Sequence, residues 1–364
     1  MKRLAYYITA HGYGHGVRSC DILRALLGQR PDLEVVVVTD LPRSFLENRI
    51  GAPGWTLRRG RFDVGMVQVD SIRVDLSATA RDLELLLAAW PNWIEQEMRW
   101  MDEDEVALVV ADIPAVPLVA AVRSGRPALA VGNFGWDWIY DSLRDRDPAF
   151  ARAADVFGDA YAQTSLLLRL PFAEPMAAFP RRVDLPLVST PGISRRDELA
   201  RRTGANPEKI WVLLSFSTLE WDASALGEVM SLHHVEFFTV LPLSWTGPNL
   251  HPVDRRDVSY SDVMASVDVV ITKPGYGVLS ECAVNEKPIV YTEREDFAEY
   301  PVLVDAIHRH HRHVYLPGRD LYAGRLGAAL EQLRSAPPPC EPIAADGGLT
   351  AVREVLGKFS RVVV

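Results

Sequence analysis

No stretch of this sequence reaches the roughly 20 consecutive apolar residues that a membrane-spanning helix needs. Cysteine is scarce. Cys20, Cys282 and Cys340 are odd in number and far apart, which excludes a paired zinc spacing and a disulfide framework. Cys20 and Cys282 fall on predicted helix faces and read as small core residues. Positive charge is in short supply. The 39 Lys and Arg face 48 Asp and Glu, for a net charge of −9. That balance argues against a general nucleic-acid surface, although a helix terminus inside an acidic protein still suits a small anion. Internal repeats and low-complexity segments are absent. The start, Met1-Lys2-Arg3, leads into a short apolar run with two tyrosines and then glycines. It reads as a first strand and not a signal peptide, so the cytoplasm is the expected location.

What is present begins with two glycine-rich turns. His11-Gly12-Tyr13-Gly14-His15-Gly16 follows the apolar run Leu4–Ile8, and Lys273-Pro274-Gly275-Tyr276-Gly277 follows Val267–Ile271. Each reads as a strand, a tight turn and a helix, the place where α/β sheets bind ligands. At 364 residues the chain is long for one core. Two such turns predict two Rossmann-like α/β domains facing a central cleft, with a ligand held between them.

Continuous apolar runs predict parallel strands at 4–10, 33–39, 106–111 and 128–132, then at 211–215, 235–241, 267–271, 288–292 and 313–316. Helices are predicted at 17–27, 81–101 (with Pro91 as a kink or break), 115–123, 195–202, 223–231, 278–285, 298–308 and 348–359. Pro171, Pro175, Pro180, Pro186 and Pro191 mark a linker. The expected domains are 1–170 and 206–345. Residues 171–205 would link them, and a terminal helix within 346–364 would pack back on the first domain.

The residue types in these turns suggest chemistry. A helix starting near Gly277 or Val278 points N–H groups at a phosphate. Glu281, one turn further, reads either as an acceptor for both ribose hydroxyls or as an acid beside a helix start. The first turn runs G-x-G-x-G, which is no dinucleotide fingerprint. His15 is a candidate general base, and Asp112, ending the strand 106–111, is its candidate orienting carboxylate. The alternative is a histidine that caps or packs the turn. In the loop Asn133–Tyr140, Trp136, Trp138, Tyr140 and Asp137 suit a sugar-like ligand, or else plug a cleft between domains. Asp296 and Glu299 follow the strand 288–292 and could meet donor hydroxyls; alternatively Asp296 caps a helix. The run His308–His313 is interleaved with arginines and reads as a solvated helix end, so no metal site is expected.

Together these residues resemble the nucleotide-sugar glycosyltransferases of the two-Rossmann GT-B type. The resemblance implies His15 as acceptor-activating base, Asp112 as its partner, Lys273–Glu281 as the donor loop and helix, and Asp296 and Glu299 beside the donor sugar. More specifically, HGYGH (11–15), ADIPAVP (111–117), NFGWDWIY (133–140), FPRRVDLPLV (179–188), KPGYGVLSE (273–281) and EDFAEYPVL (295–303) resemble the glycosyltransferase-like amino-terminal region of bacterial and plant L-arabinokinases and its stand-alone relatives. No length remains for the sugar-kinase domain, so arabinose phosphorylation is not expected, and a sugar kinase is an expected partner.

Many transferases of this type carry a Gly-rich loop after the first strand of the second domain. Here that place reads Ser215-Phe216-Ser217-Thr218-Leu219. The reading that follows is an inverting hexosyl- or pentosyltransferase without a separate cofactor. Ser217, Thr218, Lys273 and Gly275, Tyr276, Gly277 and Val278 would hold the diphosphate of a UDP-type donor, and Glu281 its ribose. His11, Tyr13, Asn133, Trp136, Asp137, Trp138 and Tyr140 would face the acceptor. The helix end would stabilise leaving-group charge in place of a metal. A catalytically silent nucleotide-sugar-binding module and a sugar-nucleotide epimerase are the rival readings.

Overall fold

The computed structural model describes residues 2–69 and 73–363. The chain divides into two units. One comprises Met1–Val67, Asp75–Ser189 and Ala344–Val364; the other comprises Gln68–Val74 and Thr190–Ile343.

The first unit runs β1 (Arg3–Ile8), α1 (Tyr13–Gln29), β2 (Val35–Val38), α2 (Arg43–Ile50), β3 (Trp55–Arg58), α3 (Leu76–Glu103), β4 (Val106–Asp112), α4 (Ala115–Arg123), β5 (Ala128–Gly132), α5 (Trp136–Asp141), α6 (Pro148–Ala162), β6 (Leu166–Arg169) and β7 (Arg182–Asp184). Its strands form one parallel sheet in the order β3-β2-β1-β4-β5-β6-β7. Central strands such as Val35–Val38 and Val106–Asp112 are buried throughout, as a sheet covered on both faces requires. The strand order turns back between β1 and β4. There Ile8 lies opposite Asp112, and the Thr9 N–H donates to the Asp112 carbonyl at 3.0 Å. This switch point opens a crevice at the carboxyl ends of the strands.

The second unit runs α7 (Arg196–Thr203), β8 (Ile210–Ser215), α8 (Ala223–Met230), β9 (Val235–Val240), β10 (Leu250–Val253), α9 (Tyr260–Ser266), β11 (Val269–Thr272), α10 (Tyr276–Val284), β12 (Ile289–Tyr291), α11 (Tyr300–His310), β13 (His313–Tyr315), α12 (Gly318–Tyr322) and α13 (Gly327–Ser335). Its parallel sheet has the order β10-β9-β8-β11-β12-β13. The switch point falls between β8 and β11, where Ser215 pairs with Thr272.

The last helix, α14 (Gly347–Val363), belongs to the first unit. Ala351, Val352, Val355 and Phe359 are buried in one cluster with Cys20, Leu23 and Leu27 of α1 and Leu108 of β4. The proline-rich segment is divided between the units. Its part up to Ser189 supplies β7 at an edge of the first sheet, and Thr190 onward belongs to the second unit.

Some elements differ from the sequence expectation. Pro91 does not break α3, which continues from Leu76 to Glu103. Leu83, Leu86, Trp90, Ile94 and Met101 hold one buried stripe across it, while Pro91 faces outward, where water can satisfy the freed carbonyl. Residues 133–140 are not simply a loop, because α5 starts at Trp136 with Gly135 as its N-cap. Strands β3, β6, β7 and β10 carry no long apolar signal of their own. No described helix is long and apolar enough to cross a membrane.

Candidate active site

In the first unit, β1 ends below the glycine turn, and α1 starts immediately after it. His15, in the first turn of α1, brings Nδ1 to 2.8 Å from Oδ1 of Asp112 at the end of β4. Asp112 is fully buried and heavily hydrogen-bonded. Arg18 donates Nε to Oδ2 at 2.7 Å and Nη2 to Oδ1 at 2.6 Å, and Ser19 Oγ donates to Oδ2 at 2.7 Å. Burial alone would raise this carboxyl. The Arg18 and His15 charges and their hydrogen bonds outweigh it and hold Asp112 well below the usual carboxylate range. A carboxylate only accepts, so His15 Nδ1 carries the proton it donates to Asp112, and Nε2 keeps its lone pair. Arg18 Nη2, at 2.9 Å from Nδ1, is then a charged neighbour of the imidazole and not its donor. Burial and the Arg18 charge push the His15 pKa below its ordinary value, against the pull of Asp112. The imidazole is therefore neutral at pH 7.

A second histidine–carboxylate pair lies in the same turn. His11 Nε2 is 2.8 Å from Oδ1 of Asp63, a buried side chain that also accepts from Thr9 Oγ1 at 2.8 Å and Trp136 Nε1 at 3.1 Å. Burial opposes the charge on Asp63, but His11 and these donors keep its pKa depressed. Gly65 closes behind His11. Its φ is +67°, and a Cβ there would lie 2.5 Å from His11 Nδ1, so only glycine fits.

The aromatic stretch surrounds both pairs. Phe134 meets the His15 ring edge-on at 5.7 Å, and Trp136 meets His11 at 5.4 Å. Tyr140 stacks on Trp136 at 5.5 Å and is fully buried. Asn133 is buried too, accepting from Arg18 and donating to the Pro171 carbonyl. Trp138 and Asp137 are half-buried, and Tyr13 is exposed against Phe45. Burial raises Asp137 to about 6 and the neighbouring Glu174 to about 7. Glu174 Oε1 accepts from the Gly135 N–H at 3.3 Å.

In the second unit, Ser217 and Thr218 are exposed just beyond β8. Ser215 Oγ is 2.6 Å from the Tyr260 hydroxyl. Lys273, Gly275, Tyr276, Gly277 and Val278 are half-buried around the start of α10, whose N-cap is Gly275. Glu281 is 2 % exposed and accepts from Ser261 Oγ at 2.9 Å. Asp296 is exposed with φ +51°, and it does not cap α11, whose N-cap is Glu299. Burial raises the Glu299 carboxyl, with the Arg294 charge opposing. Arg294 donates Nη1 to the Pro274 carbonyl at 3.1 Å and lies over the Phe297 ring, while its Nε is buried without a partner. Burial lowers its pKa to about 10.

Arg18, Asp63, Glu174 and Arg294 are among the side chains at these sites that the sequence expectation omits. Arg18 carries a readable signal, because three residues after His15 on a helix lies the same face. Asp63 carries none, coming from a segment without regular structure. The histidine run is not a solvated helix end throughout. His308 and His313 stack at 4.5 Å, and His311 is buried, with burial lowering its pKa to about 4. Among the described residues no cluster of His, Cys, Asp or Glu has a metal-holding arrangement.

No family model matches the chain. It is 29 % identical over 363 residues to the L-arabinokinase of Arabidopsis thaliana, covering 94 % of this chain and 33 % of that protein. The chain thus spans about a third of the length of this curated relative. Among solved structures, the calicheamicin glycosyltransferase CalG4 matches with a TM-score of 0.65 at 15 % identity, covering 99 % of both chains. SnogD, a glycosyltransferase from Streptomyces nogalater, gives 0.56 at 17 %, covering 100 % of this chain and 96 % of its own. Arabidopsis thaliana UGT89C1 complexed with UDP gives 0.61 at 14 %, covering 98 % and 100 %. The fold is that of the two-domain GT-B glycosyltransferases.

Proposed function

We propose that this protein transfers a sugar from a nucleoside-diphosphate sugar to a hydroxyl acceptor, with inversion and with His15 as base. The observation that carries this reading is the neutral His15 held through Nδ1 by the ionised Asp112 at 2.8 Å. Nε2 takes the acceptor's proton as its oxygen bonds to the anomeric carbon. The bond from that carbon to the diphosphate oxygen breaks, and the nucleoside diphosphate departs. Trp138, Tyr13 and Asp137 line the acceptor's approach, and the buried Asn133, Trp136 and Tyr140 support them.

On the second unit, Ser217, Thr218, Lys273 and the N–H groups of Gly275–Val278 hold the diphosphate. Glu281 meets the ribose, and Asp296 and Glu299 meet the donor sugar. Lys273 and the start of α10 offset leaving-group charge, with no metal assigned a part. A UDP-type donor is preferred because UGT89C1, which shares the fold, is complexed with UDP and with UDP-L-rhamnose.

Calorimetric titration with UDP, TDP, GDP and ADP and their sugar conjugates tests the donor side. Micromolar binding of one class, lost in Glu281→Ala, is expected. With a donor and acceptor in hand, His15→Ala lowers turnover about 100-fold or more. An unchanged rate removes His15 from the base role.

One observation favours a second reading, a silent nucleotide-sugar-binding module. Arg18 engages both oxygens of Asp112, which weakens the pull of that carboxylate on His15. Tight donor binding with neither transfer nor hydrolysis, across a broad acceptor panel, would favour the module over the enzyme.

A further inference from the structure

A separate cavity of about 630 Å³ lies on the first unit, lined where the chain enters β5 and β6. The strands are parallel, so these residues sit at their amino ends, whereas Asp112 and Asn133 sit at the carboxyl ends of β4 and β5. Five residues of β5 lie between, about 16 Å at about 3.3 Å per residue. The cavity is thus apart from the histidine turn. Its size suits a small molecule.

Its charge is one-sided. Arg126, Arg181, Lys358 and Arg361 line it, and no carboxylate does. Arg126 is already engaged, donating Nη2 to Asp102 at 2.6 Å and Nε to the Val106 carbonyl at 2.7 Å. The other cations are not. Among the described residues, the side chains of Arg181, Lys358 and Arg361 have neither a hydrogen-bond partner nor an ion pair. Among the described residues, no side-chain carboxylate lies within ion-pair distance of these three cations. Arg181 and Arg361 are exposed and Lys358 is half-buried, so all three are free to turn their charge toward an anion in the cavity.

The second observation is independent of charge. Thr164, also lining the cavity, is 2 % exposed, and its hydroxyl has no partner. Buried hydroxyls are nearly always bonded.

We propose that this cavity binds a small phosphate ester of sugar size. The phosphoryl oxygens lie among Arg181, Lys358 and Arg361, and one of them accepts from Thr164 Oγ1. A phosphate monoester, with close to two negative charges and several acceptor oxygens, matches this set better than a single carboxylate does. The rest of the volume takes the ester's carbon skeleton. This assignment does not depend on the transfer reaction.

The test is calorimetry on the full chain with ribose 5-phosphate, inorganic phosphate and ribose. Ribose 5-phosphate is expected to bind at one site, phosphate more weakly, and ribose not at all. The combined variant Arg181→Gln, Lys358→Gln, Arg361→Gln should lower the affinity at least tenfold. Thr164→Val keeps the side-chain shape and removes a hydroxyl that bonds nothing, so it should melt like the parent while binding several-fold more weakly. Lys273→Ala, altered in the other unit, should leave this binding unchanged. Absence of binding, parental affinity in the triple variant or in Thr164→Val, or loss of binding in Lys273→Ala would each overturn the assignment.

Discussion

Asp112 is the residue on which the first site turns. His15, Arg18 and Ser19 all converge on its carboxylate. Removing Arg18 leaves a buried carboxylate short of its main partner. Arg18→Met should therefore destabilise the first unit by about 3–5 kcal/mol, measured by denaturant unfolding. It also removes a charge that lowers the His15 pKa. The base form is populated above that pKa, so the acid limb of kcat/KM lies below pH 6.5 in the parent and moves upward in Arg18→Met. A limb that stays in place would separate Arg18 from the base.

Glu174 gives an opposite pH dependence. Its folded pKa, about 7, exceeds the ordinary value of 4.5. Its contribution is present at low pH and is lost as pH rises through 7. Glu174→Gln, which cannot ionise, should flatten the fall in Tm between pH 5 and 8. Among these residues, His15 and Asp112 are legible in the sequence because each follows directly from a strand end. Asp63 and Glu174 are not, since folding alone brings Asp63 to the histidine turn and Glu174 to the start of α5.

Among the elements, the glycine turns and their helices follow from local pattern, while the segment Arg59–Val67 does not. It has no periodicity, and its course is fixed by the contacts of Asp63 and Gly65 with the turn. Gly65→Ala puts a methyl group against His11 and forces a side-chain-bearing residue into left-handed backbone. A loss of about 1–3 kcal/mol is expected, with displacement of the His11 ring from Asp63 visible in its imidazole NMR signals. Helix α3 teaches a related point about Pro91. A proline signal is local, but the buried stripe either side of it is longer and prevails. Edge strands such as Arg182–Asp184 escape notice because half-exposed residues carry little apolar pattern.

At the scale of the molecule, two parallel sheets were legible from alternating apolar runs, and both switch points fall beside the glycine turns. The division of the chain between them was less so. Prolines mark where backbone hydrogen bonding is interrupted, but not which sheet the flanking residues join. Leu185, Leu187 and Val188 pack with the first unit although they lie within the proline-rich segment.

The return of α14 to the first unit bears on synthesis. A ribosome delivers the chain from its amino end, and domains commonly fold in that order. Here the order is reversed. The second unit has all its residues once Ile343 has emerged, whereas the first still lacks Val352, Val355 and Phe359 from its core. Nascent chains arrested with residue 345 just outside the tunnel should therefore yield a protease-resistant fragment from about residue 190 onward, and rapid cleavage before it. Arrest with residue 363 outside should protect both. Equal protection at the two lengths would mean that the first sheet closes without its last helix.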